Sequence, residues 1–339
     1  MQKDVILVTG ANGEMGHGLI KHLAENEKKR ILAIDVHPLD DDLKPYVYSF
    51  LQGDILDIYL LGRLSFEYQI STIYHLASIL STKAEQNPEL AHRINVEGTL
   101  NLLQLASEQA KLVGKNVLFL YPSSIAAYGL PSLSIKNQGG KIKEIEYLQP
   151  TTMYGCNKLY CEHLGRYYVN NYRQLSVDRC NYCIDFRSIR FPGLISAVTI
   201  PTGGTSDYGP EMLHHAAQNI PYSCFVRRDT CLPFMVMPDA IKALLQLQSA
   251  PRAQLSQFVY NVTSFSLSAE DFSKIVIKAF PKANINFSPD TKRQAIVDTW
   301  PSDVDDTKAK QDWGWQPDYD MQRSFEEYLL PAVKERYTK

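Results

Sequence analysis

The chain has 339 residues, 45% of them apolar and 21% charged, with 35 basic side chains against 37 acidic ones. That composition belongs to a folded globular protein and excludes collagen-like and disordered chains. A formal net charge of −2 leaves no basic excess for a phosphate backbone, so no nucleic-acid partner is expected.

In chain order, short apolar runs at residues 5–8, 31–34, 47–51, 70–76 and 117–121 read as buried strands, being β-branched or aromatic. Helical spacing separates them, at 19–25 and over a long stretch at 89–111 that Asn87-Pro88-Glu89 is suited to start. Strand and helix in alternation predict an α/β fold: a doubly wound (Rossmann) parallel sheet. Residues 129–150 read as a surface loop, 151–172 as a helix and 186–191 as a strand. Beyond about 195 proline and glycine become denser. Helices are expected near 239–249 and 269–280, and isolated strands near 258–261 and 284–287. The predicted division is 1–194 for the domain of the parallel sheet and 195–339 for a smaller mixed α/β lobe, interleaved with the last sheet elements.

No run reaches the ~18 apolar residues of a membrane span, and Val5-Ile6-Leu7-Val8 is too short for a signal-peptide core. Cytoplasmic residence without membrane association is the expectation. Six cysteines in so long a chain do not form a disulfide framework, and Cys180-x-x-Cys183 lacks the companions of a zinc site. No metal is expected.

Gly10-Ala11-Asn12-Gly13-Glu14-Met15-Gly16 sits where a strand gives way to a helix. The first glycine permits the turn, the second lets backbone approach a pyrophosphate, and the third allows close helix packing. Asp35, nineteen residues past Gly16, can accept from ribose hydroxyls and repel a 2′-phosphate, favouring NAD over NADP; the alternative is a solvated turn acid. Asp54 reads equally as an adenine contact or an Asx-turn. Tyr154 and Lys158 lie four residues apart on one predicted helix, hence on one face. An ammonium near a phenol favours the phenolate, a general base, although a surface pair would look the same. Ser123-Ser124 follows the 117–121 strand, at the sheet edge where ligands bind, or simply caps the next turn.

His75-Leu76-Ala77-Ser78, Pro122-Ser123-Ser124-Ile125-Ala126-Ala127-Tyr128-Gly129 and Tyr154…Lys158 occur in an order that resembles the extended short-chain dehydrogenase/reductase superfamily, the epimerase/dehydratase type. Further segments, among them Pro192–Ser196, Pro201–Tyr208, Leu232–Asp239, Asp298-Thr299-Trp300-Pro301 and Asp312–Trp315, resemble its threonine-oxidising branch. Thr202 and Ser206 stand where that branch usually has glycine and threonine.

The resemblance implies catalytic roles for Ser124, Tyr154 and Lys158. It implies NAD contacts from Gly10, Asn12, Gly13, Met15, Asp35, Asp54, Ile55, Leu76, Ala77, Tyr154, Lys158 and Leu194. Substrate contacts would come from Ser81, Ser124, Tyr154, Thr205, Ser206 and Trp300, although Trp300 reads equally as a core aromatic. Asp207 or Ser206 is suited to cap a helix whose first turn holds Pro210 and Glu211, a place for an amino-acid carboxylate. The implied reaction is oxidation of the L-threonine β-hydroxyl to 2-amino-3-oxobutanoate. A nucleotide-sugar epimerase or dehydratase and a non-catalytic NAD-binding sensor or scaffold are the alternatives. A homodimer is also implied, built on helices 89–111 and 151–172 with Tyr160, Leu164, Tyr167 and Tyr168 as its apolar face, unless those residues only cover the sheet.

Overall fold

The structure is a computed structural model that describes residues 3–177, 182–201 and 203–338. Alternation of strand and helix yields a central sheet from β1 (Lys3–Thr9), β2 (Ile31–Asp35), β3 (Ser49–Gln52), β4 (Tyr68–His75), β5 (Val117–Ser124) and β6 (Ile184–Phe191). A later strand, β10 (Val259–Asn261), completes the order β10-β6-β5-β4-β1-β2-β3. The sequence order reverses beside β1: chain connections run outward to β2 and β3 on one side and to β4, β5 and β6 on the other. In a parallel sheet such a reversal opens a crevice at the carboxyl ends of the strands. The Rossmann expectation holds.

The chain divides into two compact units, one of residues 1–123, 157–189 and 244–259, the other of 124–156, 190–243 and 260–339. In the first unit Leu7, Leu32, Ile73 and Phe119 supply the sheet's share of the core. Its helices dock apolar stripes: Leu19 and Leu23 of the Glu14–Glu25 helix are fully buried, each worth about 2 kcal/mol. The predicted long helix runs as Pro88–His92, a π-turn at Arg93–Glu97 and Gly98–Val113, and the Asn87 side chain caps its start by accepting from Leu90 N at 3.1 Å.

The second unit has a core of its own around Tyr208, Phe234 and Phe272. Of its two small sheets, only the strand at Ile285–Phe287 was foreseen. Between β6 and β10 lie β7 (Gly193–Ile195), β8 (Tyr222–Cys224) and β9 (Cys231–Val236), and β11 (Phe265–Ser268) and β12 (Ile285–Phe287) follow, pairing as β11-β9-β7 and β12-β8. The loop predicted at 129–150 contains a helix, Leu133–Asn137, which Ser132 caps by accepting from Ile135 N at 3.3 Å. Cys180 of the C-x-x-C pair and Thr202 lie outside the described residues. Cys183 hydrogen-bonds the Tyr168 carbonyl through Sγ at 3.1 Å. Among the described residues no helix is long and apolar enough to cross a membrane.

Candidate active site

In the first unit β1 ends at Thr9 and the chain turns at Gly10, where φ is +69°. A Cβ there would stand 2.6 Å from Ala77 N, so the turn and the segment after β4 leave room for a hydrogen and nothing larger. The helix that follows, Glu14–Glu25, has Gly13 at its N-cap and no side-chain cap. A helix start that opens on glycine without a side-chain cap is the arrangement that suits a phosphate. Gly16 packs just as closely, since a Cβ would lie 2.7 Å from Gly10 O. Met15 stands in the same first turn, half-buried. The glycine cradle fits a dinucleotide.

Asp35 closes β2 with its carboxylate turned to the glycine turn: Oδ2 accepts from Asn12 N and Oδ1 from His37 N, both at 3.0 Å. A carboxylate accepts about four hydrogen bonds, so this geometry is compatible with two ribose hydroxyls. The Asn12 side chain is a staple, donating to Pro38 O at 2.7 Å and accepting from Asp40 N at 3.0 Å. Asp54 forms the Asx-turn, its Oδ1 accepting from Leu56 N at 2.9 Å. Ile55 is buried and its carbonyl accepts from Asn101 Nδ2 at 3.1 Å.

Leu76 N and Ala77 N bond to the carbonyl and the hydroxyl of Thr9, at 3.1 and 3.3 Å. Behind them His75 is fully buried between two threonines, with Nδ1 2.9 Å from Thr9 Oγ1 and Nε2 2.9 Å from Thr99 Oγ1. Thr99 donates its hydroxyl proton to Asn95 O at 2.5 Å, so Nε2 donates to Thr99, and a ring kept uncharged by burial accepts at Nδ1. That is the neutral imidazole. Burial, helped by the charge of Lys158, pushes the His75 pKa down from 6.5 to about 3. The unfolded chain therefore binds the extra proton, and stability present above pH 6.5 is lost as pH falls towards 3. Between pH 7 and pH 5 this group alone should remove about 2 kcal/mol. Denaturant unfolding at both pH values checks it: His75→Asn should start less stable at pH 7 but lack that part of the acid loss, and an equal loss in both proteins would refute the assignment.

Lys158 is buried, with Nζ donating to Pro122 O at 2.7 Å and lying 4.7 Å from the centre of the Tyr121 ring. Burial lowers its pKa to about 8, opposed by Cys161 and Glu162. Ser81 begins the Ser81–Gln86 helix and is buried. The backbone leading to it is held by Asn95, which accepts from Ile79 N at 2.8 Å and donates to Ile79 O at 3.0 Å.

In the second unit Ser124 Oγ accepts from Ala126 N at 3.1 Å, capping the turn at Ile125–Ala127. The same side chain hydrogen-bonds the Tyr154 phenol. Burial raises the Tyr154 pKa well above the usual phenol value, and the Ser124 hydrogen bond only partly offsets it. The Met153–Asn170 helix carries Tyr154 in its first turn and Lys158 one turn later. Thr205 is buried and Ser206 half-buried in the 203–207 loop, which begins with Gly203 at φ +88°. Asp207 precedes the Tyr208–Ala217 helix, yet its carboxylate turns back to accept from Gly204 N at 2.6 Å rather than capping the helix. Trp300 belongs to the second core and is 4% exposed, and its Nε1 has no hydrogen-bond partner among the described residues. Leu194 is half-buried at the middle of β7, opposite Met235 of β9.

Residues 6–263 match the profile of the NAD dependent epimerase/dehydratase family. The chain belongs to that family. Its relatives include the mitochondrial L-threonine 3-dehydrogenase of Bos taurus, 34% identical over 93% of this chain and 79% of the bovine one. Among solved structures it is similar to a monomeric L-threonine 3-dehydrogenase from a metagenome, in its apo form (36% identity, TM-score 0.82, 98% of this chain and 100% of that one). It is also similar to the L-threonine dehydrogenase of Clostridium difficile (30% identity, TM-score 0.85, 100% of both chains).

As a member of the epimerase/dehydratase family the protein is an NAD-dependent oxidoreductase. Several residues that support the site carry no motif. Glu162, one turn beyond Lys158, is buried and accepts the Ser123 hydroxyl at 2.5 Å. In the second unit Arg190 lies 4.8 Å over the Tyr128 ring and donates to Glu144 O at 2.8 Å, while Tyr128 OH donates to Asn261 Oδ1 at 2.7 Å. This buried group backs the turn after Ser124. Asn95 was the one traceable case: an asparagine inside an apolar helical pattern signals a side chain with another task, and it falls in the π-turn.

Proposed function

We propose that the chain oxidises the β-hydroxyl of L-threonine, giving 2-amino-3-oxobutanoate, NADH and a proton. The observation that carries this is the Ser124–Tyr154 hydrogen bond, on a helix that brings Lys158 one turn later. When bound, oxidised NAD supplies a hydride acceptor at nicotinamide C4 and a positive charge that favours the phenolate. Tyr154 takes the hydroxyl proton, Ser124 holds the reacting oxygen, and Lys158 binds a ribose hydroxyl. Gly10, Gly13 and Met15 hold the pyrophosphate end; Asp35 binds ribose; Asn12, Asp54, Ile55, Leu76, Ala77 and Leu194 shape the remaining cofactor contacts. Ser81, Thr205, Ser206 and Trp300 orient the amino acid. Residues 1–194 serve NAD and 195–339 chiefly serve the substrate.

NADH absorbance with L-threonine tests the reading: steady formation is expected, and none above the buffer rate removes the substrate assignment. Cytoplasmic residence is part of the proposal, in keeping with Cys156, Cys161, Cys183, Cys224 and Cys231 being joined in no disulfide. So is a homodimer through helices 89–111 and 151–172. Tyr168 is in the first unit's core and Leu164 packs against it, while Tyr160 and Tyr167 are exposed. The two exposed rings are the part of that face open to a partner. A monomer by light scattering at micromolar concentration would contradict the dimer.

A further inference from the structure

The 203–207 loop is closed on itself and then anchored from outside. Gly204 N donates to Asp207 Oδ2 at 2.6 Å and Asp207 N to Gly204 O at 3.2 Å. A Cβ at Gly204 would stand 2.7 Å from Asp207 Oδ1, so a larger residue there would push the Asp207 carboxylate aside. The carbonyl of Gly204 takes a second donor, Arg293 Nη2, at 2.8 Å. The guanidinium lies flat on Phe225, 3.2 Å from the ring centre, where cation–π attraction fixes its plane. Its charge also bears on Glu211, which accepts from Tyr222 OH at 2.7 Å. Arg293 therefore cannot swing freely.

Arg293 sits in the first turn of the Thr291–Asp298 helix, with its N–H on the capping Asp290 carboxylate at 2.9 Å. The far end of that helix is held as firmly. Lys136 Nζ donates to Val297 O at 2.8 Å, and Arg227 makes a two-pronged pair with Asp298 at 2.8 and 3.0 Å. Trp300 follows directly, its N–H on Val297 O at 3.1 Å. One rigid helix thus touches the loop at one end and leads into Trp300 at the other.

We propose that Arg293 is a positioning residue: by holding the Gly204 carbonyl it fixes Thr205 and Ser206 relative to Trp300, and so sets the affinity for the amino-acid substrate. The inference rests on the threonine reading above. A loop whose two glycines leave its backbone mobile has to be ordered before it can orient a small polar ligand, and the guanidinium meets that cost in advance.

The test compares the full-length protein with Arg293→Met and Arg293→Lys. Arg293→Met should raise KM for L-threonine about tenfold or more, the effect of losing a hydrogen bond from a charged donor. Saturated kcat and KM for NAD should stay within about twofold, because the Arg293 contacts named above include none of the proposed catalytic or cofactor residues. Amide exchange at 203–207 should quicken in the same variant. Arg293→Lys should fall between, since an ammonium can reach one carbonyl but cannot lie flat on Phe225. Unchanged exchange in Arg293→Met would overturn the proposal, and so would KM for NAD rising in step with KM for L-threonine, the mark of general loosening. Should the parent fail to oxidise L-threonine, the substrate assignment falls, while the exchange comparison, which needs no substrate, still decides whether the clamp exists.

Discussion

Tyr154→Phe should lower kcat with L-threonine by about a thousandfold, within the range of a lost general base, while NAD affinity stays within about twofold. The phenyl ring fills the same half-buried volume, so only the hydroxyl is lost, along with its hydrogen bond to Ser124. Because burial holds the phenol above its usual pKa, the reactive phenolate is the minor form at neutral pH. The parent's kcat/KM should therefore climb with pH through the neutral range, and the variant's residual rate should lack that climb. NADH absorbance across pH, with cofactor binding by calorimetry, checks both halves. Near-parental turnover in the variant would end the enzymatic account of Tyr154.

Gly10→Ala should cost about 3 kcal/mol of stability and weaken NAD binding at least tenfold. Two effects add. The left-handed backbone at φ +69° costs a non-glycine residue about 1–2 kcal/mol. The new Cβ also meets Ala77 N at 2.6 Å, so either the turn or the segment after β4 must shift, moving the cofactor cradle. At about 1.4 °C per kcal/mol for a chain of this length unfolding as one the melting temperature should fall by roughly 4 °C. Gly62→Ala is the control: it lies inside the Ile58–Glu67 helix and a Cβ there meets nothing within 4 Å. A parental melting temperature and NAD affinity in Gly10→Ala would show that the turn is not under the constraint described.

The first half of the fold was legible because its signals are local. The strand periods and the glycine turn at Gly10 need no knowledge of distant partners. In the second unit several helices and the strand at Ile285–Phe287 were legible, and the other strands of its small sheets were not. β7 and β8 have three residues each, too short for an alternating pattern to register, and β9 contains Pro233, which argues against a strand. Buried polar groups were the other blind spot. Gln109 looks like an ordinary polar helix residue, yet it accepts from Ile70 N at 2.8 Å and donates to Ser65 O at 3.1 Å. Such matches depend on tertiary neighbours, which spacing does not record. At Ser124 and Asp54 the structural alternatives weighed from sequence are present: one caps a turn while bonding Tyr154, the other makes an Asx-turn.

The tight approaches around the glycines are of two kinds, and they differ in how the sequence is free to drift. Gly10 faces main chain, which every residue type shares, so no exchange at position 77 can make room for a larger residue at position 10. Gly98 and Gly165 face the side chains of Ile55 and Phe186, where a smaller neighbour would create the missing space. Compensatory pairs in homologous chains should accordingly gather at 55 with 98 and at 165 with 186, while position 10 stays fixed alone.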